Sequence, residues 1–577
     1  MTTLDHAQQG ERDGRPTDLG AEDAFSRRKL LIRATAIGAG AAALGRLSAI
    51  GASAAPANRL RLLNAAFQNE TLAKEQVVRL PESEPLSLDP GITHGARGLE
   101  EIQNLFEGLV YLDQRDGSLQ MGLAATMTPN ADDSEYTFTL RKGLVWSDGT
   151  PLDAHDFEWS WKRALDPRSE YATALYPLKG AAAIIRGEKG PDALGVVAVD
   201  DTTLRVTLEE PTPYFPLLAT TWTFSPVPKH VIDKEGDGWV EAGKMVSNGP
   251  YLLTSWEHDQ SLVLERNPTY YGQQPVITRA TYTLFADDTS QALVPYEDDE
   301  LDQAQVSFAD LDRVKNDPTL SAQMHVYPRS ATRFLVCDTT NAPTSDVRFR
   351  QALSLAIGRD TLANGVLKGA FSPTQTMLPA DIPGHNPAAA LGEDLGRARQ
   401  LLADAGFPTG AHLPKLTLVC HAADLAERTT AQYLQAVWKQ NLGLEVTLDP
   451  MEEKAFQDWF DSRKDQPFNL MIYQWGSDWG DPANWHNQLF DSRADFYHSH
   501  WKDDEFDRLV RAAAVMPDAT ARIAQYRQAE TILVSDAALI PLYNLVRIYV
   551  VKPFIRGVYH YPVLSRTWIR YISVVAS

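Results

Sequence analysis

An α/β fold is predicted for the larger part of this chain, on three observations. From Arg333 onward, short apolar runs alternate with amphipathic helical stretches, the pattern of strands crossed over by helices. Before that point the runs are strand-like and separated by turn residues, as in Tyr136-Thr-Phe-Thr-Leu140, which alternates apolar and polar positions. At 577 residues the chain is long enough for two or three domains, each with its own core.

The first residues read as an address. Ser26-Arg-Arg-Lys-Leu-Leu31 precedes a weakly apolar Ala/Gly stretch, and small residues follow up to Gly51-Ala-Ser-Ala-Ala-Pro56. This resembles a twin-arginine export signal over residues 1–54, with cleavage expected after Ala54. No cysteine lies near that site, and a periplasmic location is expected. Gly38-Ala-Gly40 lacks the third glycine and the preceding strand of a dinucleotide loop.

Further along, Ser87-Leu-Asp-Pro90 is a turn and Leu105-Phe-Glu-Gly108 ends a helix. Asp148-Gly149 makes a tight turn, and Asp153 is expected to cap a helix that carries Asp156 in its first turn. Val196 to Leu208 reads as two short strands around Asp200-Asp201. Leu262–Pro268 and Ile277–Leu284 are further strands. The acidic run within Pro295–Asp302 lacks the spacing and glycine of a calcium loop and reads as a solvated turn. Phe334–Cys337, Leu416–Cys420, Leu444–Leu448 and Ile540–Val551 are predicted strands. Helices are predicted from Asp346 to Gly358, Glu393 to Ala405, Leu425 to Gln440 and Ala521 to Val534.

Composition narrows the function. The net charge of −21 disfavours nucleic acid and anionic lipid. No uncharged apolar run reaches the ~18 residues of a membrane span. The two cysteines, Cys337 and Cys420, and the 13 histidines show no zinc spacing. His498-Ser-His500 reads as packing or surface histidines. No nucleophile elbow, phosphate loop or His-Glu-x-x-His occurs, so neither a catalytic residue nor a cofactor is expected and the chain is not read as an enzyme.

One stretch stands out. Trp475-Gly-Ser-Asp-Trp-Gly-Asp-Pro482 follows an apolar run and reads as a strand end opening into a turn. The residues leave two readings of Asp478. Between two tryptophans it suits an ammonium group held away from water; alternatively it caps a helix beginning near Pro482.

Thr137-Phe-Thr-Leu-Arg-Lys-Gly-Leu-Val-Trp-Ser-Asp-Gly-Thr-Pro151 resembles the family 5 extracellular solute-binding proteins of ABC importers. The likeness continues in order through Glu210–Phe215, Ser225–Lys229, Ser247–Tyr251, Glu265–Pro268, Asp346–Leu353 and Ala403–Phe407. Trp475–Pro482 is most similar to the periplasmic oligopeptide-binding branch. The resemblance implies an α/β, two-lobed, hinge-bending clam of the periplasmic-binding-protein type, with an extra α/β domain on the first lobe. It places lobe I at 58–106, 230–330 and 545–577, the extra domain at 107–229 and lobe II at 331–544.

The implied function is capture of an extended oligopeptide between the lobes and delivery to permease subunits with cytoplasmic ATPases, by a monomer. The alternative is the same fold holding a murein peptide, a dipeptide, or a non-peptide amine or chelate. Asp478 is expected to hold the ligand's α-ammonium. Trp475, Gly476 and Ser477 are expected along its backbone, opposite His94, Gly95 and Ala96. Tyr171, Gln305, Val306 and Ser307 match cleft positions, Phe456, Trp459 and Arg463 match pocket positions, and Lys368 is a match for a carboxylate-binding lysine. Ile472 and Ala426 stand where the family carries an arginine and a histidine for the ligand's C-terminus, and the family disulfide cannot form at Gly476. Cys337 and Cys420, read as lying on neighbouring strands, are left as either a disulfide or two buried thiols.

Overall fold

The computed structural model describes residues 70–93, 97–166, 169, 171–286, 289–408, 413–462, 468–494, 496–563 and 567–576. The export-signal expectation, His94, Gly95, Ala96 and Arg463 lie outside these residues.

Three sheets carry the fold. The first is built from β1 (Val77–Ser83), with β6 (Tyr251–Glu257), β7 (Ser261–Arg266) and β8 (Arg279–Phe285), in the order β1-β8-β7-β6. β1 runs parallel to β8 and the rest is antiparallel. A second sheet is wholly antiparallel and lies between β1 and β6 in sequence. It comprises β2 (Ala124–Pro129), β3 (Glu135–Leu140), β4 (Val196–Asp200) and β5 (Thr203–Thr207), in the order β2-β3-β5-β4. Tyr136, Phe138 and Leu140 of β3 turn inward while Thr137 and Thr139 face away, which is the alternation expected of a half-buried strand. Against this sheet packs helix α1 (Ala154–Arg163), with Phe157 and Trp161 fully buried. Its start is a capping box: Asp153 accepts from the His155 backbone, and Asp156 reaches back to the Asp153 N–H.

The third sheet is the largest. Its strands are β9 (Gln303–Gln305), β10 (Met324–Cys337), β11 (Leu416–His421), β12 (Val446–Met451), β13 (Leu470–Gly476) and β14 (Leu539–Val551), in the order β9-β14-β10-β13-β11-β12. Apolar side chains alternate between two cores. Leu335, Cys337, Leu418, Cys420 and Ile472 join one face; Phe334, Val336, Val419 and Met471 join the other. Burial on both faces is why these strands read as near-continuous apolar runs.

Helices α2 (Val347–Leu355), α3 (Leu395–Asp404) and α4 (Leu425–Leu442) cover the first face. Each starts from an aspartate cap: Asp346, Asp394 and Asp424. Gly443 ends α4 in the left-handed conformation, φ 73°, where a side chain would be strained. Helices α5 (Glu453–Ser462), α6 (Asp504–Ala514) and α7 (Ala519–Asp536) contribute to the second face.

β10 and β14 are long and paired, and they thread from one part of the molecule to the other. Ile548 and Val550 belong to a small core with Leu293, Tyr296 and Val314, whereas Ile540 and Leu542 belong to the core beneath α2, α3 and α4. Their ladder is interrupted between Pro328 and Thr332 and again between Arg333 and Phe334.

Three expectations change. The strand read at Phe334–Cys337 begins at Met324, because its first half includes Pro328, Arg329 and half-exposed positions that mask the apolar pattern. The acidic run is the expected exposed turn at Glu297–Glu300, but its last carboxylate departs from that: Asp302 is buried on Arg79 at 2.6 Å. Cys337 and Cys420 are not on neighbouring strands, since β13 lies between β10 and β11. Two strand spacings, ~10 Å, exceed the reach of a disulfide; both are buried free thiols.

Candidate functional site

A cleft of about 1290 Å³ lies between residues of the first sheet on one side and the end of β13 on the other. That exceeds the ~300–1,000 Å³ of ordinary small-molecule pockets. Asp478, Trp475, Gly476, Ser477, Tyr171, Gln305 and Ser307 all line it.

The Trp475–Pro482 stretch is built residue by residue. β13 ends at Gly476, opposite Ala331, and the Ser477 N–H extends the ladder to the Ser330 carbonyl at 2.7 Å. The chain then turns. Ser477 Oγ donates to the Trp479 carbonyl at 2.7 Å. The fully buried Asn484 accepts from the Asp478 N–H at 2.7 Å. The cap of the short helical turn at Pro482–Asn484 is Asp481, which accepts from the Ala483 N–H at 2.9 Å and is gripped by both Arg522 amino groups at 2.7 and 2.6 Å. Capping and cleft lining therefore fall to different aspartates.

Across the cleft, the Tyr171 hydroxyl donates to Asp478 Oδ2 at 2.5 Å, and its ring stacks on Trp222 at 4.6 Å. Burial, and then the Asp478 charge, push the Tyr171 pKa well up, so the phenol keeps its proton. Trp475 faces the cleft with its ring against Phe496 at 5.6 Å. Trp479, expected beside the ligand, instead buries its ring in the core that holds the first two sheets.

Other expected residues are placed differently. Val306 is buried in the small core, its N–H on the Ile548 carbonyl. The Ser307 hydroxyl donates to Asp310 at 2.7 Å. Phe456 does not line the cleft but backs it, its ring 3.8 Å from that of His421 and 5.8 Å from that of Tyr473, which do. Trp459 packs one layer further out, on Phe456 and Phe468. Lys368 is also outside the cleft wall, because its ammonium pairs with Asp312 at 2.7 Å over the Phe308 ring. Ile472 is fully buried, and Ala426 lines the cleft.

The sequence reading missed a charged cluster in the wall. Arg333, on β10, donates to Glu427 at 2.5 Å, to Asp424 at 2.9 Å and to Gln474 at 2.6 Å. His421 Nδ1 meets Glu427 at 3.0 Å. Burial opposes the charge on Arg333, yet the surrounding Tyr543, Glu427 and Asp424 raise its pKa; burial likewise opposes His421, and Glu427 outweighs it. Burial would raise the pKa of Asp424, but Arg333 brings it below the usual carboxylate range. The only local signal was the Asp424-x-x-Glu427 start of α4, which announces a helix end and not its partner 91 residues away. Among the described lining residues, seven carboxylates face four guanidinium groups, so the cleft favours positive charge. Among the described residues no three His, Cys, Asp or Glu side chains converge on a metal position.

Two lobes meeting at an aspartate-lined cleft, joined by long paired strands, define a solute-binding protein of the hinged, two-lobed kind. Residues 118–497 match the family described as bacterial extracellular solute-binding proteins, family 5 Middle, and the chain belongs to that family. It is 34% identical over 500 residues to the probable deoxycholate-binding periplasmic protein YgiS of Escherichia coli K12, covering 85% of this chain and 92% of that one. It is also 34% identical over 525 residues to the periplasmic oligopeptide-binding protein OppA of the same organism, covering 88% and 94%. Among solved structures it is similar to the unliganded open form of the periplasmic murein tripeptide-binding protein MppA, with a TM-score of 0.75, 30% identity and coverage of 88% and 99%. The Haemophilus influenzae OppA complex with RPPGFSPFR gives a TM-score of 0.71, 27% identity and coverage of 88% and 100%.

Proposed function

We propose that this protein is the periplasmic receptor of an ABC importer. It captures oligopeptides in extended form between its lobes and delivers them to a membrane permease driven by cytoplasmic ATPases. The observation that carries the reading is Asp478. It stands in the cleft wall at the end of β13, its backbone held by Asn484 and its carboxylate met by Tyr171 from across the cleft. There it pairs with the α-ammonium of the ligand, and closure strengthens the pair by removing water. Relatives that bind oligopeptides and murein tripeptide support it.

In this reading the ligand backbone runs along Trp475–Ser477 opposite His94–Ala96, with Arg463 in a side-chain pocket. Lobe I comprises 58–106, 230–330 and 545–577, the extra domain 107–229 and lobe II 331–544. The protein works as a monomer, exported by the twin-arginine route with cleavage near Ala54.

Calorimetry with peptides identified by mass spectrometry of ligand released from the periplasmic protein tests the reading. Asp478→Asn is expected to weaken binding by about 3 kcal/mol, because the ammonium stays buried and unpaired. Unchanged affinity would remove Asp478 from the site. A single murein-peptide, dipeptide or non-peptide amine or chelate mass in the released fraction, in place of a ladder of mixed oligopeptides, would favour the second reading, that ligand on the same fold. Ile472 and Ala426 at the family's carboxylate-binding positions, and Leu425 and Phe496 exposed in the cleft wall at 40% and 37%, motivate that reading.

A further inference from the structure

The cluster around Arg333 shares the cleft wall with Asp478. Gln474, which accepts from Arg333, precedes Asp478 by four positions, at most ~14 Å at ~3.4 Å per extended residue. A ligand strand anchored at Asp478 and lying along β13 reaches the cluster at its third or fourth residue.

The chemistry there is mixed. Both amino ends of the Arg333 guanidinium are spent on Glu427, Asp424 and Gln474. Its Nε–H is buried and has no acceptor among the described residues, while the side chain, 5% exposed, forms part of the cleft wall. Beside it, Asp424 is 36% and Glu453 77% exposed at the side chain, and His421 is committed to Glu427. One buried donor thus waits for an acceptor next to accessible carboxylates that accept from a donor. An incoming carboxylate satisfies the first and is repelled by the second. A carboxamide satisfies both.

We infer that this part of the cleft is an amide subsite, which seats a C=O on Arg333 Nε–H and the accompanying N–H on Asp424 and excludes a free carboxylate. The inference rests on the peptide reading of the cleft. A ligand therefore runs on past its third or fourth residue, or ends there as a carboxamide. Asp424 and Glu453 are the residues that determine this specificity.

Three probes test it by calorimetry at low salt: tetra-alanine, tetra-alanine amide and hexa-alanine. Both the amide and the hexapeptide are expected to bind at least about ten-fold more tightly than tetra-alanine, because like charges juxtaposed on binding are costly. Asp424→Asn with Glu453→Gln is expected to close most of that gap; asparagine also caps helices well, so α4 keeps its start. The amide binding more tightly than the hexapeptide assigns the subsite to terminal carboxamides, and the reverse assigns it to mid-chain peptide groups. Tetra-alanine binding as well as its amide, or a gap that survives the double substitution, overturns the inference and leaves the peptide reading standing. Absence of binding by all three probes to folded protein overturns both.

Discussion

Asp478 and Asp481 sit three positions apart in one turn, and their neighbours divide the work between them. Arg522 locks Asp481 into the scaffold, while Tyr171 meets Asp478 from across the cleft. The candidate aspartate was legible in the sequence because two tryptophans and two glycines bracket it. Tyr171 was reached only through the family resemblance, and its contact with Asp478 was not legible, because the two lie 307 positions apart and nothing local announces it. Trp222 was hidden in the same way, as the ring beneath Tyr171. Lys368 was misplaced because alignment supplies an ammonium but not the Asp312 that diverts it. Tyr171→Phe keeps the stack on Trp222 and removes one hydrogen bond to a charged group. Affinity for the released peptides is expected to fall by about 1.5–3 kcal/mol, with the thermal midpoint of the ligand-free protein little changed. Equal losses in both would make Tyr171 a packing residue only.

At the scale of elements, helix starts were the most legible feature, because an aspartate cap is a local signal. Asp153 and Asp346 cap helices where the pattern placed them. Strand ends were less so. Leu444–Leu448 was expected and Val446–Met451 forms, since Leu444 is still turning after the left-handed Gly443. Helix α6 shows an electrostatic tie that no periodicity reveals. Its Arg511 and the nearby Arg493 both grip the buried Asp491. Burial alone would raise the pKa of that carboxyl, but the two guanidinium groups hold it down at about 2. A carboxyl depressed on folding contributes stability above its unfolded value, ~3.9, and loses it as pH falls through the folded one. The wild-type thermal midpoint is therefore expected to drop between about pH 4 and pH 2. Asp491→Asn is expected to lower the midpoint at pH 7 and to match wild type near pH 2. Parallel pH curves for the two proteins would discount the tie.

For the whole molecule, the alternation of strand and helix after Arg333 was readable because each local period declares its element. Which strands adjoin was not, because order in a sheet is set by contacts far apart in sequence. The cysteines illustrate this: both were known to lie in strands, and only the interposed β13 separates them. Burial pushes both thiols up to about 12. A thiol-reactive dye is expected to leave the native protein untouched and to label two sites after denaturation, with no shift of the thermal midpoint on adding reductant. A reductant-dependent midpoint would contradict the strand order. The interruptions between β10 and β14 have a consequence of counting. Between the Pro328–Val546 and Thr332–Asn544 pairs, three residues of β10 face one of β14. The surplus is even, so the two strands leave the irregularity with their faces still in step. Residues gained or lost in pairs at this first interruption therefore keep the faces in step. A single insertion would turn Arg333 toward Phe456 and Tyr497 and strand its charge among aromatic rings.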